Sequence, residues 1–210
     1  MPFLSPNFRP TTARRVTHMG SSEAREHFAL CSVQKAPPEF AQQSEKEFAE
    51  WMFERLAPYF EVKEQVRGMN AEHDTILRVD AVITLKEDPT KVYALELKKP
   101  VLGSKCIDAG HLLRQAVDYR YTNWNGYGKL PVLICPGFEG RLQTDGTAHP
   151  VRDYATYSRI AAAFGIGELM FTYSGDLCIK FAGSHEHWYS HRGLTSDGRT
   201  WRLPGARVGH

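Results

Sequence analysis

No apolar run in this sequence approaches the roughly 18 to 20 residues that a bilayer span requires, so no transmembrane helix is expected. The opening stretch, MPFLSPNFRPTTARR, has basic residues with no apolar segment behind them and does not have the form of a secretory signal. A cytoplasmic location is the expectation. Cysteine is sparse: Cys31, Cys106, Cys135 and Cys178 are the four in 210 residues, and no two form a CxxC pair. That spacing speaks against a zinc ribbon or a dithiol redox motif, and a chain this long does not depend on disulfide staples. An excess of one charge sign is lacking too, with 26 Lys and Arg against 24 Asp and Glu. Any nucleic-acid surface must therefore come from local clustering rather than bulk charge. Internal repeats, low-complexity tracts and a P-loop or helicase motif are all missing, so any motor must come from a partner.

What is present is the composition of one ordinary globular domain, 42% hydrophobic and 24% charged. Residues 1–40, rich in Pro, Ser, Thr and Arg, are expected to form an arm or irregular extension with one short helix at 22–30. Residues 41–190 form the patterned body, and 191–210, rich in Gly and Arg, form a tail. In the body, Ser44 and Glu47 match a capping box at the head of EKEFAEWMFERL. Phe48, Met52 and Leu56 recur there at helical spacing, and Pro58 ends the helix. FEVKEQVR, TILRVDAVITL and VYALELK are expected as three strands, the last two antiparallel across the turn LKEDPTK. A helix at 107–121, a strand at 130–135, a helix at 153–164 and a hairpin at 168–173 and 177–181 follow. The expected class is α/β, a central mixed sheet flanked by helices.

Two carboxylates and an amine interrupt the apolar strands. Glu96 and Lys98 share one face of their strand, since side chains alternate. On the preceding strand Asp80 is expected on the face of Val82 and Thr84, with Val79, Ala81 and Ile83 opposite. Unpartnered, such charges would cost several kcal/mol or more to bury. They require each other, a metal ion, or both. Two oxygen donors on adjacent strands suit Mg²⁺, which takes carboxylates and keeps several waters. A metal there could acidify water and stabilise a phosphate under in-line attack, with Lys98 beside it.

RVDAVI followed by ALELKKP resembles the signature of the PD-(D/E)xK nuclease superfamily, and QAVDY, Gln115 to Tyr119, is similar to the QxxxY pattern of type I restriction motor-subunit and RecB-like nuclease domains. The resemblance covers roughly residues 44–136. It implies a restriction endonuclease-like αβββαβ core, followed here by a further helix and hairpin. It implies a DNA nuclease using Mg²⁺ or Mn²⁺, with Asp80, Glu96 and the Leu97 carbonyl as metal ligands. Lys98 takes the catalytic lysine's place, and Gln115 lies beside the catalytic strand. For the family's helical glutamate Glu45 is expected, on the inward face, with Glu47 and Glu50 as alternatives. DNA is the implied partner, through Lys99, Lys105, Arg114 and Tyr119. A homodimer or a larger DNA-processing complex stays open. So do a catalytically inactive nucleic-acid-binding or accessory subunit and a structure-specific RNA nuclease.

Other features have two readings each. Arg120 and Lys129 extend the basic set, but a solvated helix face explains each singly. Tyr119, Tyr121 and Trp124 are aromatics that stack on unpaired bases or fill a core. HEHWYSH, with His185, His187 and His191, has imidazoles at metal-binding spacing yet reads as loop. His73 and Asp74 lie in a loop before the second strand, where they approach the metal or merely make the loop polar.

Overall fold

A computed structural model of the chain describes residues 44–98, 109–138, 151–171, 176–184 and 186–196. The N-terminal arm and its short helix, Lys99, Lys105, His185 and the tail beyond 196 lie outside the described residues. Three helices are described: α1 (Glu45–Leu56), α2 (Ala109–Arg120) and α3 (Val151–Ala163). Ten strands are described: β1 (Phe60–Asn70), β2 (Thr75–Leu85), β3 (Val92–Leu97), β4 (Thr122–Trp124), β5 (Gly128–Lys129), β6 (Val132–Cys135), β7 (Ile166–Phe171), β8 (Leu177–Lys180), β9 (Glu186–Tyr189) and β10 (Gly193–Ser196). All ten form one mixed sheet in the order β10-β9-β8-β7-β6-β3-β2-β1-β4-β5. The protein is thus α/β, as expected. No helix among the described residues is long and apolar enough to cross a membrane.

Local chemistry explains how the first elements form. Ser44 accepts from the Glu47 N–H while the Glu47 carboxylate accepts from the Ser44 N–H, so two of the orphan donors at the head of α1 are satisfied reciprocally. Phe48, Met52 and Leu56 then bury one stripe against Ala81, Ile83, Leu95, Leu97, Leu133 and Leu169. The opposite face of the sheet carries Val82, Ala94, Val132 and Ile134, covered by Leu112, Ala116 and Tyr119 of α2 and by Ala161 of α3. Period-2 alternation therefore sends successive residues of β3 and β6 into two separate cores. β3 pairs antiparallel with β2 and parallel with β6, and the crossover between β3 and β6 carries α2.

Four strands were not expected from the sequence. β4 and β5 are three and two residues long, too short for a periodic signal. β4 lies against β1 only because Gly68 has no side chain: a Cβ there would stand 2.6 Å from Thr122 Cγ2 and 2.8 Å from the Trp124 ring. β9 occupies the HEHWYSH segment expected as loop, and β10 falls in what was expected as tail. Both are stabilised by ladder pairing and by Trp188, which packs edge-on against Phe60 and Tyr59.

The alternation expected along β2 is broken at Asp80. Ala81, Ile83 and Leu85 enter the α1 core, but Val79 joins Val82 in the other core. β1 does the same, with Phe60 and Val62 toward the α1 core and Val66 in the other. The ladder pairs Glu64 with Ala81 and Val66 with Val79, skipping Gln65 and Asp80 between them. Gln65 has φ 53°, a left-handed conformation in mid-strand. The β1–β2 ribbon thus turns its faces over at the level of Asp80.

Candidate active site

β2 and β3 pair from Thr84–Val92 to Ala81–Leu95, then splay. Ala94 and Lys98 direct their N–H groups to β6, so Leu97, between them, directs its own toward β2. There it donates to Asp80 Oδ2 at 2.8 Å. The aspartate carboxylate thereby takes the place of a backbone acceptor at the opening between the strands. Glu96, one position earlier on β3, is 2% exposed. Its Oε1 accepts from Gln115 Nε2 of α2 at 2.8 Å and is paired with Lys98 Nζ. The same Gln115 nitrogen donates to Tyr119 Oη at 2.9 Å, and Tyr119 Oη donates to the Arg78 carbonyl at 3.0 Å. A continuous relay thus runs from Glu96 through one turn of α2 to the backbone of β2, two residues from Asp80.

The electrostatics follow from this crowding. Burial, with the nearby Asp80 carboxylate second, pushes Glu96 up to about 7 against the opposing pull of Lys98. Burial works against the charge of Lys98, but Glu96, Glu45 and Asp80 together outweigh it and hold the ammonium above the ordinary lysine value. Burial and the Glu96 charge raise the Tyr119 phenol, which therefore stays a donor at neutral pH. Two carboxylates side by side with one ammonium remain short of positive charge. A hard divalent cation that takes one or two carboxylates and retains water suits that donor set. The described residues gather no group of three or more His, Cys, Asp or Glu. Any such cation would therefore rest on Asp80, Glu96, backbone oxygen and water.

No family model, curated protein or solved structure matches the chain.

The structure brings together Glu45, Asp80, Glu96, Leu97, Lys98 and Gln115 from the expected set. Glu45 is not on the buried face of α1, as expected, but at its exposed rim, because burial begins a turn later at Phe48. From there its Oε1 lies 3.7 Å from Lys98 Nζ. Glu47 is occupied by the capping box, and Glu50 pairs with Lys46. Tyr119 is corrected: it is 7% exposed, its hydroxyl is engaged in the relay, and its ring meets Trp124 edge-on, so it is not available to stack on a base. Trp124 is likewise core. Arg114 and Lys129 are exposed, on α2 and β5.

His73 approaches Asp118, at 3.8 Å, rather than Asp80 or Glu96. β9 buries His187, while His191 is exposed in the next turn and stands 3.6 Å from Asp176, so these two imidazoles do not converge. Sequence reasoning missed the Arg78 carbonyl as the end of the relay. It also missed a second buried polar group, in which Glu168 accepts from Ser158 Oγ at 2.6 Å and the Phe138 N–H at 2.9 Å, with Lys180 Nζ at 4.0 Å. A signal for it existed, because GELMF and LCIKF each carry one charge in an apolar run, at matching positions of a hairpin.

Proposed function

We propose that the protein is a metal-dependent DNA nuclease with a restriction endonuclease-like core. The observation that carries this reading is the pair Asp80 and Glu96 at the splayed end of β2 and β3, with Lys98 held between Glu96 and Glu45. The order α1, β1, β2, β3, α2, β6, with two short strands inserted before the last, supports the same core. Asp80, Glu96 and the Leu97 carbonyl would hold Mg²⁺ or Mn²⁺. When bound, the cation supplies Lewis acidity that stabilises charge on a phosphate and acidifies water. Gln115 fixes the orientation of Glu96, as hydrogen bonds beyond the ligands commonly do. Lys98 orients the attacking water or neutralises the developing phosphorane charge. Glu45 keeps that ammonium at the mouth of the site.

The test is cleavage of labelled linear, flapped and four-way DNA in Mg²⁺ by the wild type, Asp80→Ala and Lys98→Ala. Cleavage by the wild type, reduced on the order of 10²-fold or more in both variants, is the expected result. Absence of cleavage of every substrate, or identical rates in Asp80→Ala, ends the proposal. One observation favours a second reading, a non-catalytic nucleic-acid-binding module: Lys98 and the Leu97 N–H already satisfy both carboxylates without a cation. Thermal melts with Mn²⁺ separate the two, since only a metal enzyme is stabilised by Mn²⁺ through Asp80.

A further inference from the structure

Beyond Asp80 the β1–β2 ribbon has one face packed and, among the described residues, one face bare. Val66 and Val79 pack with Tyr119 and Trp124, so the alternate residues Arg67, Met69, Ile76 and Arg78 point the other way. On that outer face Arg67 stands directly opposite Arg78, and Met69 directly opposite Ile76. Both arginines are exposed; Met69 is 41% and Ile76 70% exposed. Like charges in register across a ladder are destabilising by themselves, and neither guanidinium is joined to an acidic group among the described residues. β3 pairs with β2 only as far as Ala81, so residues 75–80 have no strand partner on that side among the described residues, although the Arg78 carbonyl is taken by Tyr119 Oη. Glu72 and Asp74 occupy the turn at the ribbon's end, which confines the basic, apolar surface to the shaft.

We infer that this outer face is a docking surface for duplex DNA, with Arg67 and Arg78 on backbone phosphates and Met69 and Ile76 against the groove. Two observations argue for that occupant. Among the described residues the paired arginines lack a counter-charge, which a phosphate backbone would supply. Exposed Ile and Met beside arginine are the side chains with which ribbons and arms enter a DNA groove. The turning-over of the ribbon at Gln65 and Asp80 connects the surface to the carboxylate pair, because Arg78 lies two residues, roughly 7 Å of strand, from Asp80. The inference rests on the nuclease reading for the sense of that connection, but the surface is tested without cleavage.

The test is fluorescence anisotropy with a labelled DNA duplex of two helical turns, titrated with the full chain in EDTA over a range of NaCl. Arg67→Gln/Arg78→Gln is expected to weaken binding about tenfold or more and to reduce the slope of log K against log salt by roughly 2. Met69→Ser/Ile76→Ser should weaken binding while leaving the slope in place. Lys46→Gln/Arg55→Gln, which removes the same charge from α1, should change neither. Because the arginines repel each other, the double arginine variant should melt at or above the wild-type temperature and keep any Mn²⁺-dependent stabilisation. An unchanged affinity and slope in that variant overturns the surface, as does tighter binding of single-stranded DNA or duplex RNA of the same sequence. Duplex binding that depends on Arg67 and Arg78 without cleavage in Mg²⁺ would retain the surface and reject the nuclease.

Discussion

Glu96 keeps its proton in the folded protein at pH values where the unfolded chain has released it, because burial and Asp80 raise it from 4.5 to about 7. Below the lower value both states are protonated and the group contributes nothing. Through the window between the two, unfolding releases a proton, so stability falls as pH rises and the loss is complete above about 7. Urea melts in EDTA between pH 4.5 and 8 should show this decline, amounting to as much as about 3 kcal/mol. Glu96→Gln should flatten it, and an unchanged slope in that variant would contradict the assignment. Tyr119→Phe removes the donor to the Arg78 carbonyl and the acceptor for Gln115. We expect a loss of about 1–3 kcal/mol from the stranded groups and of about 10- to 100-fold in metal affinity or cleavage rate, measured by Mn²⁺ titration and initial rates. The types and strand positions of Asp80, Glu96 and Lys98 were legible in the sequence because charges stand out in an apolar strand. The rim position of Glu45 was not, since periodicity indicates a helix face but not where the helix first meets the sheet.

Elements were legible in proportion to their own periodicity. α1 is announced by Ser44, Glu47 and the Phe48–Met52–Leu56 stripe, and β2 and β3 by β-branched and apolar runs. β4, β5, β9 and β10 take their conformation from neighbouring strands, and four residues or fewer cannot show a period. The half-turn of the β1–β2 ribbon was illegible for another reason: residue parity is kept through Gln65 and Asp80 while the faces exchange. Two substitutions test elements rather than single contacts. Ser44→Ala should destabilise by about 1 kcal/mol through loss of the cap. Gly68→Ala should destabilise by about 1–3 kcal/mol by forcing β4 away from β1. Denaturant melts measure both, and a neutral Gly68→Ala would mean that β4 moves freely.

Across the whole molecule, one row of the sheet joins its two polar centres. Glu96 is in register with Ile134, Ile134 with Glu168, Glu168 with Lys180 and Lys180 with His187. Glu168 and Lys180 are 2% and 1% exposed, so neither tolerates loss of the other. Lys180→Met should destabilise by about 3–5 kcal/mol by stranding a buried carboxylate. Adding Glu168→Gln should recover part of that loss, since the amide is uncharged, its oxygen still accepts from the Phe138 N–H, and the Ser158 hydroxyl can turn to accept from its NH2 group. A double-mutant cycle on thermal or denaturant melts gives the coupling, and simple additivity would refute the pairing.

The parallel pairing of β3 with β6 orders events in time. Asp80 lies on a hairpin whose strands are joined by a four-residue turn, and such local contacts form early. Glu96 gains its bond to Gln115 and its cover only with the crossover that includes α2 and returns as β6, and long-range parallel pairing is slow. Asp80 and Glu96 themselves meet early, across the β2–β3 hairpin, whereas the burial of Glu96 and its bond to Gln115 are expected to come late, at low φ-value. Gln115→Ala should therefore move the unfolding limb of the chevron and leave the refolding limb where it was, so that the lost bond appears as shorter persistence of the native state rather than slower arrival at it.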